Sequence, residues 1–227
     1  NTFRTTVRSY LKTGLNEDVA RNIAELALKK AVSIARKAAK NRAYVLGSIA
    51  PLEDCYKPEL FPGIDIAKKE FKQIGNWLNE SNIDIFLLET MNSIIETKAC
   101  LDEISTLNKP IWVSFVLKDQ KHILSGELLE DAINILYDYN IQCMLINCSP
   151  LYATNNSIEL ISKTWNKKWG IYPNLGVGQP SPTGDIKIIH SDDNFIKLIY
   201  KAVENGANII GGCCGSTPHH TKLIRNK

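Results

Sequence analysis

The fold of this chain can be worked out from Ala207-Asn208-Ile209-Ile210-Gly211-Gly212-Cys213-Cys214-Gly215. The apolar half of this stretch predicts a short buried strand, and the reactive half follows where that strand ends. Neighbouring side chains on a strand point to opposite faces, so adjacent cysteines share a ligand only where the backbone leaves the extended state. Glycine reaches conformations closed to other residues, and the glycines around the pair permit this change. We therefore expect both thiols to face one site at the carboxyl end of a strand.

A third cysteine has a similar setting earlier in the chain. Cys148 follows the apolar run 141–146 and precedes Ser149-Pro150, so it too lies at the end of a predicted strand. Three thiols at the carboxyl ends of two strands match a zinc site of the catalytic type, which has three protein ligands and an open fourth position. The pattern makes Cys148, Cys213 and Cys214 candidate metal ligands.

Three other interpretations of the cysteine pair remain open from the residues alone. Cys213 and Cys214 could form a strained vicinal disulfide, or they could be small buried hydrophobes, as unpaired cysteines often are. His219 and His220 could also complete a local site with the two cysteines. However, Thr217-Pro218 is typical of a helix start, with a capping residue followed by proline at the first helical position. That start would place both histidines in the first turn of a helix.

The same order, an apolar strand followed by polar residues, repeats along the chain. Strands are predicted to begin near residues 43, 83, 111, 141, 169 and 207, and helical segments alternate with them. Such alternation indicates parallel strands joined by right-handed crossovers. Polar side chains follow five of the strands: Ser48, Glu89, Asn147-Cys148, Asn174 and Cys213-Cys214.

Placement of reactive residues at one end of the strands is typical of a (β/α)₈ barrel. A doubly wound open sheet is the alternative, and it would concentrate its site at one switch point. We therefore predict an α/β fold of the TIM-barrel type, with about six of the eight βα units present and the other two preceding Asn1. The whole stretch 1–227 is expected to form this single barrel domain, incomplete at its amino end.

The first long helix is predicted to begin at Asn16, whose side chain can cap it. Val19, Ile23, Leu26 and Ile34 recur at roughly helical spacing and are expected to form its apolar face. Farther along, the Gly/Pro-rich loop 176–184 lacks the glycine spacing that cradles a phosphate, so a nucleotide site is not expected there.

The composition excludes several classes of protein. A hydrophobic content of 44% is ample for a core, and a net charge of +3 from 27 basic and 24 acidic residues argues against nucleic-acid or membrane-surface binding. No run reaches the ~18 apolar residues of a membrane span, and no signal-peptide pattern opens the chain. Six irregularly spaced cysteines fit a reduced compartment, so a cytoplasmic location is predicted.

Five segments together resemble the homocysteine S-methyltransferase family. They are Gly47-Ser48-Ile49-Ala50-Pro51, Leu88-Glu89-Thr90-Met91, Asn147-Cys148, Tyr172-Pro173-Asn174 and Gly211-Gly212-Cys213-Cys214-Gly215-Ser216-Thr217-Pro218. The family includes betaine- and S-methylmethionine-dependent enzymes and the homocysteine half of cobalamin-dependent methionine synthase. The likeness covers essentially the whole chain in the right order.

The resemblance implies a zinc-dependent (β/α)₈ barrel in which Cys148, Cys213 and Cys214 hold the metal. It also implies that Glu89, followed by Thr90, binds the amino group of homocysteine, and that the segment beginning at Asn1 lines the substrate pocket. The glycine-rich loop that follows the first strand of the family has no counterpart in this chain. An alternative interpretation of Glu89 is a strand-end acid that is satisfied by a neighbouring helix start.

The implied reaction transfers a methyl group from a small sulfonium or quaternary-ammonium donor to the thiolate of homocysteine, which gives methionine. Zinc would take the proton of the substrate thiol and present the sulfur as the nucleophile, so no protein general acid or base is expected. The alternative function is a catalytically inactive barrel fragment or a zinc-thiolate binding module.

Overall fold

The computed structural model describes residues 2–177, 181 and 186–225, and it shows strands alternating with helices throughout. Six strands form one sheet: β1 (Leu46–Ile49), β2 (Ile85–Met91), β3 (Ile111–Phe115), β4 (Ile141–Asn147), β5 (Lys168–Tyr172) and, after two short strands described below, β8 (Ile209–Ile210). The strand order in the sheet is β1-β2-β3-β4-β5-β8, the same as the order along the chain. The ladders β1–β2, β4–β5 and β5–β8 are parallel.

This order confirms the predicted α/β fold of the barrel type. A doubly wound sheet reverses its strand order at a switch point, and no reversal occurs among the described strands. Two further strands, β6 (Gly176–Val177) and β7 (Lys187–Ile188), form a separate antiparallel pair. Most of the Gly/Pro-rich loop between them lies outside the described residues.

The chain packs as two compact units, residues 1–112 and 113–227. The first contains α1 (Val7–Leu11), α2 (Glu17–Ala39), α3 (Ile64–Glu80) and α4 (Ile94–Ile104). Its core includes Phe71, Leu78, Phe86, Leu88 and Leu101, none more than 1% exposed. Single 3₁₀ turns, Pro58–Leu60 and Ser105–Leu107, lie before α3 and after α4.

The second unit contains α5 (Leu129–Asn134), α6 (Leu151–Thr164), α7 (Asp192–Glu204) and α8 (Pro218–Arg225). A 3₁₀ segment, Ile135–Asp138, directly follows α5. The core of this unit includes Phe115, Ile146, Trp165, Ile171 and Phe195.

The start of α2 is as predicted, but its buried face is not. The Asn16 side chain accepts a hydrogen bond from the backbone N–H of Val19 at 3.0 Å, which caps the helix. The buried residues of α2 are Ala20, Ala24, Leu28 and Val32, whereas the predicted apolar face, Val19, Ile23, Leu26 and Ile34, is 38% to 69% exposed. The helix carries two apolar stripes, and the stripe with small alanines allows the closer approach to the rest of the unit.

The ends of two strands also differ from prediction. β1 begins at Leu46 and includes Gly47-Ser48, which were expected to follow the strand. β2 extends through Glu89 and Thr90 to Met91. Among the described residues, none of the helices combines the length and apolarity that crossing a bilayer requires.

Candidate metal centre and substrate-binding residues

The three predicted cysteine ligands converge in the second unit. The Sγ atom of Cys148 lies 2.6 Å from that of Cys213 and 3.8 Å from that of Cys214. All three sulfurs lie within 4.8 Å of one another and are partly shielded from solvent. This is the predicted cluster, and all six cysteines of the chain lie among the described residues without a disulfide. The vicinal-disulfide and buried-hydrophobe interpretations of the pair therefore do not describe this structure.

Backbone geometry turns these thiols toward one another. Cys148 follows β4 with φ of +49°, in the left-handed region that non-glycine residues rarely adopt. On the other segment, Gly215 has φ of +82°. A Cβ at Gly212 would lie 2.7 Å from the side chain of Ser216, which donates a hydrogen bond to the carbonyl of Cys213 at 2.6 Å. Glycine is thus required where the chain closes into the turn that carries the cysteine pair.

Asn174, just after β5, connects the two cysteine segments. Its side-chain Nδ2 donates to the carbonyl of Cys148 at 3.0 Å, and its Oδ1 accepts from the N–H of Cys214 at 3.1 Å. The residue is 3% exposed. It was recognised in the sequence as a polar residue at a strand end, but its contacts depend on β5 lying between β4 and β8 in the sheet. Sequence alone gave it no role.

The sulfurs are in an environment that disfavours charge in the absence of a cation. Hydrogen bonds with Cys213 and Cys214, together with burial, raise the pKa of the Cys148 thiol far above its usual range. The hydrogen bond with Cys148 lowers the pKa of Cys213, but its bond with Cys214 and its burial outweigh this and raise the pKa to about 12. Three thiolates this close need a positive charge between them.

The donor set fits zinc. Thiolate sulfur is a preferred zinc ligand, and three protein ligands leave one coordination position for a substrate. The remaining cysteines, Cys55, Cys100 and Cys143, are buried apart from this cluster. Burial raises the pKa of Cys143 to about 12 and that of Cys100 as well, as expected of thiols that act as core residues.

The two histidines are not part of the cysteine cluster. Both lie in the first turn of α8, as the Thr217-Pro218 pattern predicted. His219 Nε2 lies 2.9 Å from Asp192 Oδ2, and His220 Nε2 lies 3.2 Å from Asp192 Oδ1. Nδ1 of His220 accepts a hydrogen bond from the N–H of Thr217 at 3.0 Å. These contacts attach α8 to the start of α7, so the alternative of a two-cysteine, two-histidine site is wrong.

In the first unit, Glu89 belongs to a small polar network at the end of β1. The hydroxyl of Ser48 donates to Glu89 Oε2 at 2.7 Å. Thr2 Oγ1 accepts from the N–H of Ser48 at 3.0 Å and donates to its carbonyl at 2.9 Å. Thr90 is buried and has φ of +60°, an unusual conformation for a β-branched residue. Asn1, the third predicted substrate residue, lies outside the described residues.

A comparison with models of known protein families assigns the chain to one family. The model described as homocysteine S-methyltransferase matches residues 1–227. Homocysteine S-methyltransferase 1 of Brassica oleracea var. italica is 27% identical, with 99% of this chain and 76% of the relative aligned. Homocysteine S-methyltransferase 3 of Zea mays is 31% identical over 65% of this chain, which corresponds to 45% of that protein. The matched part is thus less than half of the maize protein.

Solved structures share the fold. The metallated form of the homocysteine methyltransferase MmuM from Escherichia coli superimposes with a TM-score of 0.83 at 21% identity, and covers 99% of this chain and 77% of its own. The oxidised form of the same enzyme gives the same TM-score at 20% identity. These likenesses show the fold and agree with the order of the strands in the sheet.

Proposed function

This chain belongs to the homocysteine S-methyltransferase family, and on that premise we propose that it transfers a methyl group to the sulfur of homocysteine and forms methionine. The donor would be a small sulfonium or quaternary-ammonium compound. The observation that carries the proposal is the convergence of three cysteine sulfurs within 4.8 Å. That donor set suits a metal with one exchangeable position, and homocysteine brings the fourth sulfur.

The chemistry balances without a protein acid or base. The homocysteine thiol loses its proton to water, and its sulfur attacks the methyl carbon of the donor in line. A new carbon–sulfur bond forms while the bond from that carbon to the positively charged donor atom breaks, and the leaving group takes the electron pair and becomes neutral. Zinc, when held by Cys148, Cys213 and Cys214, would supply the positive charge that favours the deprotonated substrate thiol.

The side chains of the protein would orient homocysteine for the reaction. The Glu89 carboxylate is proposed to bind the ammonium group of homocysteine, with Thr90 beside it. Its hydrogen bond from Ser48 supports this role, because it fixes one carboxylate oxygen and leaves the other for a ligand. A charge-assisted hydrogen bond of this kind contributes roughly 1.5–3 kcal/mol. The reaction is further proposed to occur in a reduced, cytoplasmic compartment, where three thiolates persist.

The direct test is methionine formation by the zinc-loaded chain. Homocysteine would be supplied with S-methylmethionine, S-adenosylmethionine, betaine or dimethylsulfoniopropionate in parallel, and methionine would be quantified by mass spectrometry. We expect one donor class to give product, and we expect Cys148→Ser to abolish it while Cys143→Ser retains it. Zinc binding without methionine from any donor would favour a zinc-thiolate binding module instead.

Glu89→Gln tests the substrate-binding role separately. The amide cannot form an ion pair with ammonium, so the KM for homocysteine should rise roughly 10–100-fold, which corresponds to the energy of one charge-assisted bond. Zinc content and the KM for the methyl donor should stay the same. An unchanged KM for homocysteine would remove Glu89 from the pocket without affecting the metal assignment.

A further inference from the structure

We propose that Asn174 is a positioning residue that sets the spacing between the cysteine segments through their backbones before any metal binds. The inference rests on the proposed metal site and assigns a role within it. It concerns the side-chain amide, which touches Cys148 and Cys214 through main-chain atoms. Asn174 therefore acts on the ligands and not on the substrate.

The direction of these two hydrogen bonds is fixed by their partners. The carbonyl of Cys148 can only accept, so the amide nitrogen must face it, and the N–H of Cys214 can only donate, so the amide oxygen must face it. The two bonds, 3.0 Å and 3.1 Å, use opposite sides of one planar group. A planar amide thus acts as a spacer of fixed length between residues 148 and 214.

The burial and neutrality of the amide suit this role. Asn174 is 3% exposed, so its bonds are shielded from water, and loss of either would leave a buried main-chain group with one fewer partner. An aspartate at this position could accept from Cys214 but could not donate to Cys148. It would also place a negative charge beside sulfurs that must become thiolates.

The backbone around Asn174 supports the same arrangement. Its own N–H donates to the carbonyl of Ser149 at 3.0 Å. The residues on either side of Asn174 also bond to the cysteine pair. The N–H of Leu175 donates to the carbonyl of Cys214, and the N–H of Cys213 donates to the carbonyl of Pro173, each at 3.0 Å. These bonds align the segments, and the side chain of Asn174 adds the link that joins one candidate ligand residue to the other.

Cys148 shows why a link is needed. Its φ of +49° is unfavourable for a residue with a side chain, and such conformations persist only where the surroundings hold them. The N–H of Cys148 has a long bond, 3.4 Å, to the carbonyl of Tyr172. The bond from Asn174 to its carbonyl is shorter and holds the other side of the same residue.

The test measures zinc affinity and stability in variants of two buried asparagines, Asn174 and Asn92. Asn174→Ala removes both links, and Asn174→Ser, whose hydroxyl is too short to reach both partners, is the second variant if the first folds poorly. Asn92→Ala is the matched control, because Asn92 is 1% exposed and donates to the carbonyl of Cys55 at 3.1 Å, a cysteine outside the cluster. Zinc affinity would be measured by competition with a chromophoric chelator.

We expect both Asn174 variants to bind zinc about 10–100-fold more weakly, the usual effect of removing a group that orients metal ligands. In the cobalt-substituted protein, the thiolate-to-metal charge-transfer band should weaken, because fewer sulfurs reach the ion at once. Asn92→Ala should lose thermal stability but keep its zinc affinity and its cobalt spectrum.

Each result has a distinct meaning. Wild-type zinc affinity and an unchanged cobalt spectrum in the Asn174 variants would overturn the positioning role, as would an equal loss of zinc in Asn92→Ala. If the wild-type chain itself bound no zinc, the proposed metal site would fail first. That outcome is recognisable before any variant is made.

Discussion

At the scale of single residues, the cysteine cluster and the Glu89 segment each contain a residue with an uncommon backbone conformation. Cys148 and Thr90 both have positive φ, +49° and +60°, although neither is glycine. Residues held this way typically cost about 1–3 kcal/mol each and are concentrated at functional sites. Both residues had been singled out from the sequence by their position at strand ends, which is a matter of chemistry and spacing. Their backbone conformations could not be predicted, because they depend on tertiary contacts.

The ligand assignment makes predictions for five of the six cysteines. Single replacement of Cys148, Cys213 or Cys214 by serine should reduce bound zinc to a small fraction of one equivalent, because serine oxygen is a poor substitute for a thiolate. Bound zinc would be measured by inductively coupled plasma mass spectrometry on reduced protein. Cys55→Ser and Cys143→Ser should keep full zinc, and loss of zinc in either would contradict the assignment.

Gly212→Ala should destabilise the turn that carries the cysteine pair. The new Cβ would lie 2.7 Å from Ser216 Cβ and Oγ, so the hydroxyl bond to the Cys213 carbonyl must shift. Overpacking of this kind costs about 1–3 kcal/mol, which urea unfolding would detect. Gly211→Ala is the control, because among the described residues its Cβ would come within 4 Å only of the Tyr172 Cβ, at 3.3 Å. Equal losses in the two variants would argue against this account.

At the scale of elements, the start of α4 contains a buried acid that the sequence did not single out. Glu96 is 2% exposed, and its Oε1 accepts from the N–H of Leu52 at 2.8 Å. Burial is the main cause that raises its pKa to about 7, and the charge of Glu53 adds to the effect while Leu52 and Arg8 oppose it. Glu96 thus attaches the loop after β1 to a helix end.

This acid predicts how stability depends on pH. The unfolded carboxyl has a pKa of about 4.3, so between pH 4.3 and 7 the folded state keeps a proton that the unfolded state has lost. Stability should therefore fall as pH rises through that window, by up to about 4 kcal/mol in total. Glu96→Gln should flatten the fall and be more stable than wild type at pH 8 but not at pH 5.

Urea unfolding at several pH values would check the effect of Glu96. Glu103→Gln, on the same helix but more exposed, is the control and should leave the profile unchanged. A Glu96→Gln variant that followed the wild-type curve would mean that the carboxyl is ionised in the folded protein at neutral pH.

The helices and strands also show which features could be predicted from the sequence and which could not. The alternation of strands and helices and their parallel order followed from local patterns, and the cysteine cluster followed from those patterns together with the family resemblance. The buried face of α2 did not, because Ala20 and Ala24 lie on one stripe and Leu26 and Ile34 on another, and both stripes have helical period. Only the neighbours of a helix decide which stripe is covered.

At the scale of the whole molecule, metal binding should be coupled to stability. A ligand that binds only the folded state stabilises it by about 2.7 kcal/mol at a hundredfold excess over its Kd. We expect added zinc to raise the melting temperature and a chelator to lower it. The Cys148→Ser variant should show neither effect, and a zinc-dependent shift in that variant would point to a different site.

The exposed stripe of α2 affects how such melting curves should be recorded. Val19, Ile23, Leu26 and Ile34 are open to water, and Lys30 and Lys37 beside them are exposed cations. An anionic, hydrophobic reporter dye such as anilinonaphthalenesulfonate should bind the apolar side chains and the lysines of that helix in the native protein. Its fluorescence should be high before heating begins, so circular dichroism is the better optical readout of unfolding for this chain.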